Sequence, residues 1–573
     1  MKQRMADCGW PGFRWLLTAV CCVALAAAIG AQQPKPTPQP ENPHGQPTAP
    51  QTPAQPGQTP QKGNQPAHIT PDQAKQLFAS VDEIMKFASE ETGLPIKSPV
   101  KRQLTTRDAV ESYLVQKFND DTESKRMERD EIVLKKFGLL DRDFALKPFL
   151  LTLLKEQIEA YYDTKTKTIN MLDWVQPEEQ KTVLAHELTH ALQDQHSDLE
   201  KWNNQTPDDV STDLAGDQAH LAKDEMDAAR DAVSEGQATA VMMDYTLKPM
   251  GKSLIKDPEV LDLIRSHMDQ SADSPVMARA PLLISESMLF PYRDGLSFEQ
   301  DVWMDQGQTA AFGGTLDRPP TSTWEILNPR DYERKLIPPI PLLPNIHPIV
   351  DKLYRPYDIG QVGQLDVQIM TQLFGDSATS RDLTSAWDGG LYWAGQLRSA
   401  TTAAEQDSTK SLGIFYLSVW HNSASALQFA QLYGNNLGRK YASVAPDEKA
   451  QNTASGESGS VEEDYRTDEG PVVITRRGNL VFIAESFPLN VARQLTGLIL
   501  DAQGGGSLQT AELKVHTWPF AHPVAMGWPE GETGEPLSAS FIRFFAGCGL
   551  MKSALDSEIE GAAGVRSNPV RLH

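Results

Sequence analysis

The architecture of this chain follows from Leu184-Ala185-His186-Glu187-Leu188-Thr189-His190-Ala191-Leu192, which lies inside a predicted helix. We predict that this helix begins near Pro177, because proline suits the first turn, and Glu178 and Glu179 follow it where the helix dipole favours acids. Leu184, Leu188 and Leu192 repeat every four residues and form an apolar row. The pattern predicts a helix that packs one face on a core and carries two histidines and a glutamate.

The chemistry of this helix depends on the spacing His186-Glu187-x-x-His190. Residues four apart lie on one face of a helix, so both imidazoles can bind a single ion. Glu187 is turned about 100 degrees from His186, which places it beside the metal, where it can take a proton from a water molecule. Two imidazoles and a carboxylate suit zinc, and a catalytic zinc site keeps its fourth position for water. We therefore expect one Zn²⁺ per chain, with Glu187 as the general base.

A third protein ligand must come from elsewhere, and two residues are candidates. Glu235 lies on a second long helical pattern that runs from about Asp217 to Tyr245. His196 has the separation from His190 that is found in H-E-x-x-H-x-x-G-x-x-H sites. Such sites need a glycine to end the helix sharply, and this chain has Gln193 at that position. The sequence favours Glu235 and keeps His196 as the alternative metal ligand.

The segment Leu184–Leu192, followed by Glu235-Gly236-Gln237-Ala238, resembles the active-site helices of the gluzincin group of zinc metallopeptidases, of which thermolysin is the familiar member. The resemblance covers about Tyr161 to Tyr245. It implies a zincin-like domain in which His186, His190 and Glu235 bind zinc and Glu187 is the catalyst. One position departs from the thermolysin pattern: Thr239 stands where an aspartate usually orients a ligand histidine.

Five further side chains are weaker candidates. Asp231, one turn before Glu235, and Asp194, one turn after His190, are carboxylates that could orient a histidine in place of Thr239. Stabilisation of an oxyanion needs a donor opposite the metal, and Tyr245, Tyr292 and Arg293 are possible donors. Each of these five also has an ordinary interpretation as a solvated or packed side chain.

The fold class expected for the whole chain is α+β. Residues 71–345 are predicted to form the mostly helical zincin-like metallopeptidase domain, with helices from Pro71 to Phe144 and again as far as about Phe312. Its small β element is a hairpin within Ile158–Met171, with a turn near Asp163 to Lys165. Residues 346–502 are predicted to form an α+β accessory domain, and 503–573 a tail of uncertain order.

Three strands are expected in the accessory domain, and they lie at Gly413–Trp420, Val472–Thr475 and Asn479–Ala484. The segment Ser385–Tyr392 contains two glycines between aromatic residues, and it predicts a tight turn.

The N-terminal residues indicate export. Residues 1–31 have the features of a signal peptide: basic residues, then an apolar run from Trp15, then small residues at Ala28 and Ala31. An uncleaved membrane anchor is the alternative, because the run from Trp15 to Ala31 is close to the minimum length that spans a bilayer. Residues 32–70 are rich in proline and glutamine and predict a disordered linker. We expect a secreted or extracytoplasmic protein, in the periplasm or cell envelope, with membrane contact only if residues 1–31 are retained.

Composition narrows the choice of partners. The chain has 573 residues and a formal net charge of -23, which repels the phosphate backbone of nucleic acids. Three of the four cysteines lie in the signal, so cleavage leaves only Cys548 and no intramolecular disulfide.

The function we expect is that of an exported zinc peptidase that acts on protein or peptide substrates. Alternatives are a catalytically inactive zinc-binding envelope scaffold or binding module, and a hydrolase of other bonds.

Overall fold

A computed structural model describes residues 68–118, 121–157, 160–203, 205, 210–254, 275–336, 340–448 and 460–504, with side chains at all of these except 113–126 and 154–157. The predicted signal at 1–31, the linker as far as residue 67 and the tail from residue 505 lie outside the described residues. Within the described residues, each helix is too short or too polar to cross a bilayer.

The first half of the fold is a set of helices around a three-stranded sheet. The helices are α1 (Pro71–Thr92), α2 (Arg107–Phe118), α3 (Asp121–Phe137), α4 (Leu146–Gln157), α5 (Pro177–Ser197), α6 (Leu199–Trp202), α7 (Leu214–Leu221), α8 (Met226–Leu247) and α9 (Leu282–Gln306). The strands are β1 (Lys101–Thr105), β2 (Ala160–Asp163) and β3 (Thr168–Leu172). Strand β3 is central, with β1 parallel to it and β2 antiparallel to it. Strand β2 is therefore an edge strand.

The second half is built on a seven-stranded antiparallel sheet. A π-helical turn (Ala310–Gly314) and the short helices α10 (Thr315–Asp317), α11 (Thr323–Leu327), α12 (Pro329–Glu333) and α13 (His347–Val350) lead into it. Its strands are β4 (Tyr354–Gln361), β5 (Trp387–Leu397), β6 (Leu412–Trp420), β7 (Val444–Pro446), β8 (Ser460–Thr467), β9 (Gly470–Arg477) and β10 (Leu480–Glu485), in the order β4-β5-β6-β10-β9-β8-β7. Its helices are α14 (Gln364–Phe374), α15 (Ser377–Ser385), α16 (Ala403–Gln406), α17 (Ser423–Asn435) and α18 (Leu489–Ala502). The expected α+β class and the three expected strands are confirmed.

One apolar core joins the two halves. It extends from Ile69 to Ile483 and includes buried side chains of both sheets. Phe137 at the end of α3 packs edge to face on Tyr392 of β5, with 5.3 Å between ring centroids, and on Tyr416 of β6 at 6.2 Å. The helical half thus supplies part of the cover of the large sheet.

The hairpin expected within Ile158–Met171 is confirmed, since β2 and β3 pair around the turn at residues 164–167. Two of the predicted local structures are wrong. Lys101–Thr105 is a strand inside a segment expected to be helical, because it pairs along its whole length with β3. The segment Ser385–Tyr392, expected to be a tight turn, contains the end of α15 at Ser385 and the start of β5 at Trp387, with Asp388 as the extra residue of a bulge between Trp387 and Gly389.

The helix expected from Asp217 to Tyr245 is two helices, α7 and α8. The break occurs where two acidic side chains accept hydrogen bonds from backbone N–H groups that are distant in sequence. Asp224 accepts from the Gln361 backbone N–H at 2.7 Å, and Glu225 accepts from the Thr323 backbone N–H at 3.2 Å. Gly363 lies against the Glu225 carboxylate, and a β-carbon there would be 1.9 Å from its oxygen. These contacts hold the start of α8 against the second half of the fold.

Candidate metal centre

Helix α5 is fixed to the hairpin near both of its ends. Near its start, the Gln180 amide accepts from the Leu172 backbone N–H at 3.0 Å and donates to the Leu172 carbonyl at 2.9 Å. Near its end, the Asp194 carboxylate accepts from the Tyr162 hydroxyl at 2.8 Å and from Lys167 Nζ at 2.7 Å. Strand β2 therefore lies alongside the part of α5 that carries the histidines.

The structure brings His186, His190 and Glu235 together at the contact of α5 with α8. His186 Nε2 lies 3.1 Å from one Glu235 oxygen, and His190 Nε2 lies 3.3 Å from the other. The two Nε2 atoms are 2.9 Å apart, and the imidazole planes meet at 80°. All three residues are at most 1 % exposed. Three potential ligand atoms thus converge on one point.

This arrangement suits a metal cation. Two imidazole nitrogens and one carboxylate oxygen, all within 4.8 Å of one another, are the donor set of a three-ligand catalytic zinc site. Among the described residues it is the one group of three or more histidine, cysteine or acidic side chains with this geometry. An anionic carboxylate in the core needs a positive partner, which a protonated His190 or a divalent ion in its place can provide.

The electrostatics of the three groups are coupled. Burial disfavours the charged imidazole and lowers the pKa of His186 to about 4. Burial acts on His190 in the same direction, but the neighbouring Glu235 carboxylate outweighs it and raises the pKa of His190 to about 9. For Glu235, burial is again opposed, here by His190, and its pKa falls to about 2. At neutral pH and without a metal ion, these pKa values correspond to a neutral His186, an anionic Glu235 and a His190 that is protonated on both nitrogens and carries a positive charge.

Glu187 lies beside the cluster and faces the edge strand. Its side chain is 1 % exposed, and one carboxylate oxygen accepts a hydrogen bond of 2.8 Å from the Tyr162 backbone N–H of β2. The hairpin therefore holds this carboxylate next to the proposed metal ligands. Such a position is the one that a general base needs.

Gln193 is a residue of this site that the sequence did not reveal as functional. Its side-chain oxygen accepts from His190 Nδ1 at 2.8 Å. The sequence suggested Asp194 or Asp231 for this role, but Asp194 binds the hairpin, and the partner of His190 Nδ1 is this amide. An amide three residues after a histidine, on the same helix face, was the available signal.

The alternative ligand His196 lies elsewhere. Helix α5 continues to Ser197, as expected without a glycine at position 193, and carries His196 past the cluster. His196 Nε2 lies 3.0 Å from an Asp317 carboxylate oxygen, and the side chain is 23 % exposed. The structure does not bring it to the group formed by His186, His190 and Glu235.

One of the three suggested oxyanion donors lies at the cluster. The ring of Tyr292 on α9 stacks on His186, with 6.1 Å between centroids and 19° between planes. Tyr245 instead packs on Phe87 of α1 at 5.2 Å, ten residues beyond Glu235, or about 15 Å along the helix. Arg293 forms ion pairs with Glu286 at 3.0 Å and Asp294 at 2.9 Å. Of these three, Tyr292 is the one whose ring contact with the cluster the structure shows.

No protein family model, curated protein or solved structure matches this chain. A function for this chain therefore follows from the geometry of the site itself, from the groups that hold it and from the chemistry that those groups can perform.

Proposed function

We propose that this chain is an exported zinc-dependent peptidase with a gluzincin-type site in a zincin-like helical domain. The observation that carries the proposal is the convergence of His186 Nε2, His190 Nε2 and the Glu235 carboxylate, with Glu187 adjacent to them. The proposal of export depends on residues 1–31 and is tested by determining the N-terminus of the mature protein.

Each residue has a defined task in this proposal. His186, His190 and Glu235 would hold the zinc ion. The ion would act as a Lewis acid and make hydroxide available near neutral pH. Glu187 takes a proton from the attacking water and later delivers it to the leaving amine. The Tyr162 N–H holds the Glu187 carboxylate in place for both transfers.

The position of β2 supports a peptide as the substrate. This strand is at the edge of its sheet, and the Tyr162 N–H points away from β3 toward Glu187. Because Glu187 accepts from the Tyr162 N–H, an extended peptide would pair with the other main-chain groups of this edge, with its scissile bond beside the base. The four site residues are buried, so the covering chain must move aside when substrate enters.

The alternative proposals are an inactive zinc-binding scaffold and a hydrolase of non-peptide bonds. A purely structural metal site has no need of a carboxylate such as Glu187 beside its three ligands. The buried Glu187 therefore favours an enzyme. The proposal that the enzyme cleaves peptide bonds, rather than other bonds, depends on the edge strand β2.

The test compares bound zinc and casein cleavage in wild type, Glu187→Gln, Glu235→Ala and His196→Ala. We expect Glu187→Gln to retain zinc and lose cleavage, because glutamine keeps the acceptor for the Tyr162 N–H but cannot take a proton. We expect Glu235→Ala to lose zinc, and His196→Ala to resemble wild type. Purified protein that binds no divalent metal after reconstitution would overturn the proposal, and zinc binding without cleavage of any peptide would favour the scaffold.

A further inference from the structure

Two buried glutamines connect His190 to a distant part of the backbone. The Gln193 side-chain nitrogen donates to the Gln237 side-chain oxygen at 2.9 Å and to the Ser234 carbonyl at 2.9 Å. The Gln237 side-chain nitrogen donates in turn to the carbonyls of Ala311 and Phe312, each at 3.0 Å. Both glutamines are fully buried. The chain of hydrogen bonds thus runs from α5 through α8 to the π-helical turn.

The direction of every bond in this chain is fixed by backbone carbonyls, those of Ala311 and Phe312 for Gln237 and that of Ser234 for Gln193. A backbone carbonyl can only accept, so Gln237 must turn its NH₂ group toward Ala311 and Phe312. Its oxygen then faces Gln193, which must present an NH₂ group as well. The remaining oxygen of Gln193 faces His190 Nδ1, and a hydrogen bond between them requires a hydrogen on Nδ1.

We propose that Gln193 and Gln237 are positioning residues that keep a hydrogen on His190 Nδ1 and thereby direct His190 Nε2 at the metal. This inference rests on the proposed metal site and assigns residues that hold it. The partner of a ligand histidine fixes both its tautomer and its ring orientation. Here that partner is an uncharged amide, which is itself oriented by the carbonyls of the π-helical turn.

The test uses protein with ¹⁵N-labelled imidazoles, examined by NMR without metal and after loading with ¹¹³Cd²⁺ as a probe. In wild type we expect a slowly exchanging His190 Nδ1–H in both states and cadmium coupling to Nε2. Gln237→Met preserves the side-chain volume but offers Gln193 no oxygen, so the Gln193 NH₂ group keeps only the Ser234 carbonyl as its acceptor. We expect faster exchange of the His190 Nδ1–H and about 10-fold weaker metal binding, the lower end of the loss that follows from removing the direct partner of a ligand histidine.

Two further variants separate positioning from stability. Gln193→Glu keeps an acceptor for His190 Nδ1 but loses the two bonds that Gln193 donates to Ser234 and Gln237. We therefore expect the Nδ1–H to remain slow while the stability falls. Gln180→Met is the matched control, because Gln180 is a fully buried amide on the same helix whose partners are the backbone of Leu172 and Val175. It should lower stability without changing the His190 signals or metal affinity.

The inference is overturned if Gln237→Met leaves the His190 Nδ1–H exchange and the cadmium affinity as they are in Gln180→Met. The NMR signal of the metal-free protein keeps this test independent of the proposed function. A slow Nδ1–H that depends on Gln237, in a protein that binds no metal, would support the hydrogen-bond chain and reject the metal site.

Discussion

Gly236 on α8 and Gly295 on α9 meet so closely that a β-carbon on Gly236 would lie 2.3 Å from the carbonyl carbon of Gly295. A β-carbon on Gly295 would lie 2.1 Å from the Ala232 carbonyl oxygen. The two helices therefore touch backbone to backbone, directly beside Glu235 and one turn from Tyr292. This contact sets the distance at which α9 places Tyr292 on His186.

We predict that Gly236→Ala forces these helices apart. Overpacking of this kind costs about 1–3 kcal/mol, and the shift of the adjacent Glu235 should weaken metal binding as well. Urea unfolding and a metal titration measure the two effects. Gly497→Ala on α18 is the control, because a β-carbon there meets nothing within 4 Å, and it should stabilise the protein by about 0.5–1 kcal/mol. Wild-type stability in Gly236→Ala would contradict the close contact.

The stacking of Tyr292 on His186 predicts a difference between two substitutions. Tyr292→Phe keeps the ring and should retain wild-type metal affinity. Tyr292→Leu removes an aromatic contact worth about 0.5–1.5 kcal/mol, so the affinity should fall by up to about tenfold. Competition with a chromophoric chelator measures both. An equal loss in the two variants would show that the hydroxyl, rather than the ring, supports the site.

Metal binding should depend on pH through His190, whose pKa is raised to about 9. Below that value a cation must displace the His190 proton, so raising the pH strengthens binding, by about tenfold per pH unit between about pH 6 and pH 8. His186, with a pKa lowered to about 4, adds no dependence in this range. Calorimetry in buffers of different ionisation enthalpy should detect about one proton released per ion at pH 7. Affinity that is constant with pH would contradict this account.

The buried Glu225 carboxyl predicts a decrease of stability with pH. Burial, reinforced by the charge of Asp224, raises its pKa from 4.5 to about 8. Within that range the folded chain holds a proton that the unfolded chain has released, so the free energy of unfolding falls as the pH rises. Glu225→Gln resembles the protonated form and should be at least about 1 kcal/mol more stable than wild type at pH 8.

Urea unfolding at pH 5 and pH 8 provides the measurement for Glu225→Gln. Glu90→Gln replaces an exposed glutamate and is the control, since it should leave the pH dependence unchanged. Parallel pH profiles in wild type and Glu225→Gln would show that Glu225 is ionised in the folded protein throughout this range.

The sequence predicted those features that depend on local patterns. Helix α5 follows from its proline start and leucine row, and the β2–β3 hairpin follows from β-branched and aromatic residues on both sides of a polar turn. The spacing of His186 and His190 places both rings on one face of α5, and Glu235 was the preferred partner. These inferences needed only short stretches of chain.

Features that depend on distant residues were not predictable in this way. Strand β1 exists because it pairs with β3, more than sixty residues later in the chain. The break before α8 depends on amides at positions 323 and 361 that bind Glu225 and Asp224. The contact of Gln193 with His190 is local, but the orientation of its amide depends on Gln237 and on carbonyls of the π-helical turn. In each case the deciding partner comes from another element, and no local periodicity records it.

The apolar core that joins the two halves limits how far the protein can be shortened. If translation stopped at residue 345, Phe137 would lose its contacts with the rings of Tyr392 and Tyr416, and the fully buried Lys136 would lose the Glu469 carboxylate that lies 2.8 Å from it. A solitary ammonium group inside a core is costly, so such a fragment should misfold or aggregate. A shortened version that folds should therefore contain both halves, from about residue 68 to residue 504.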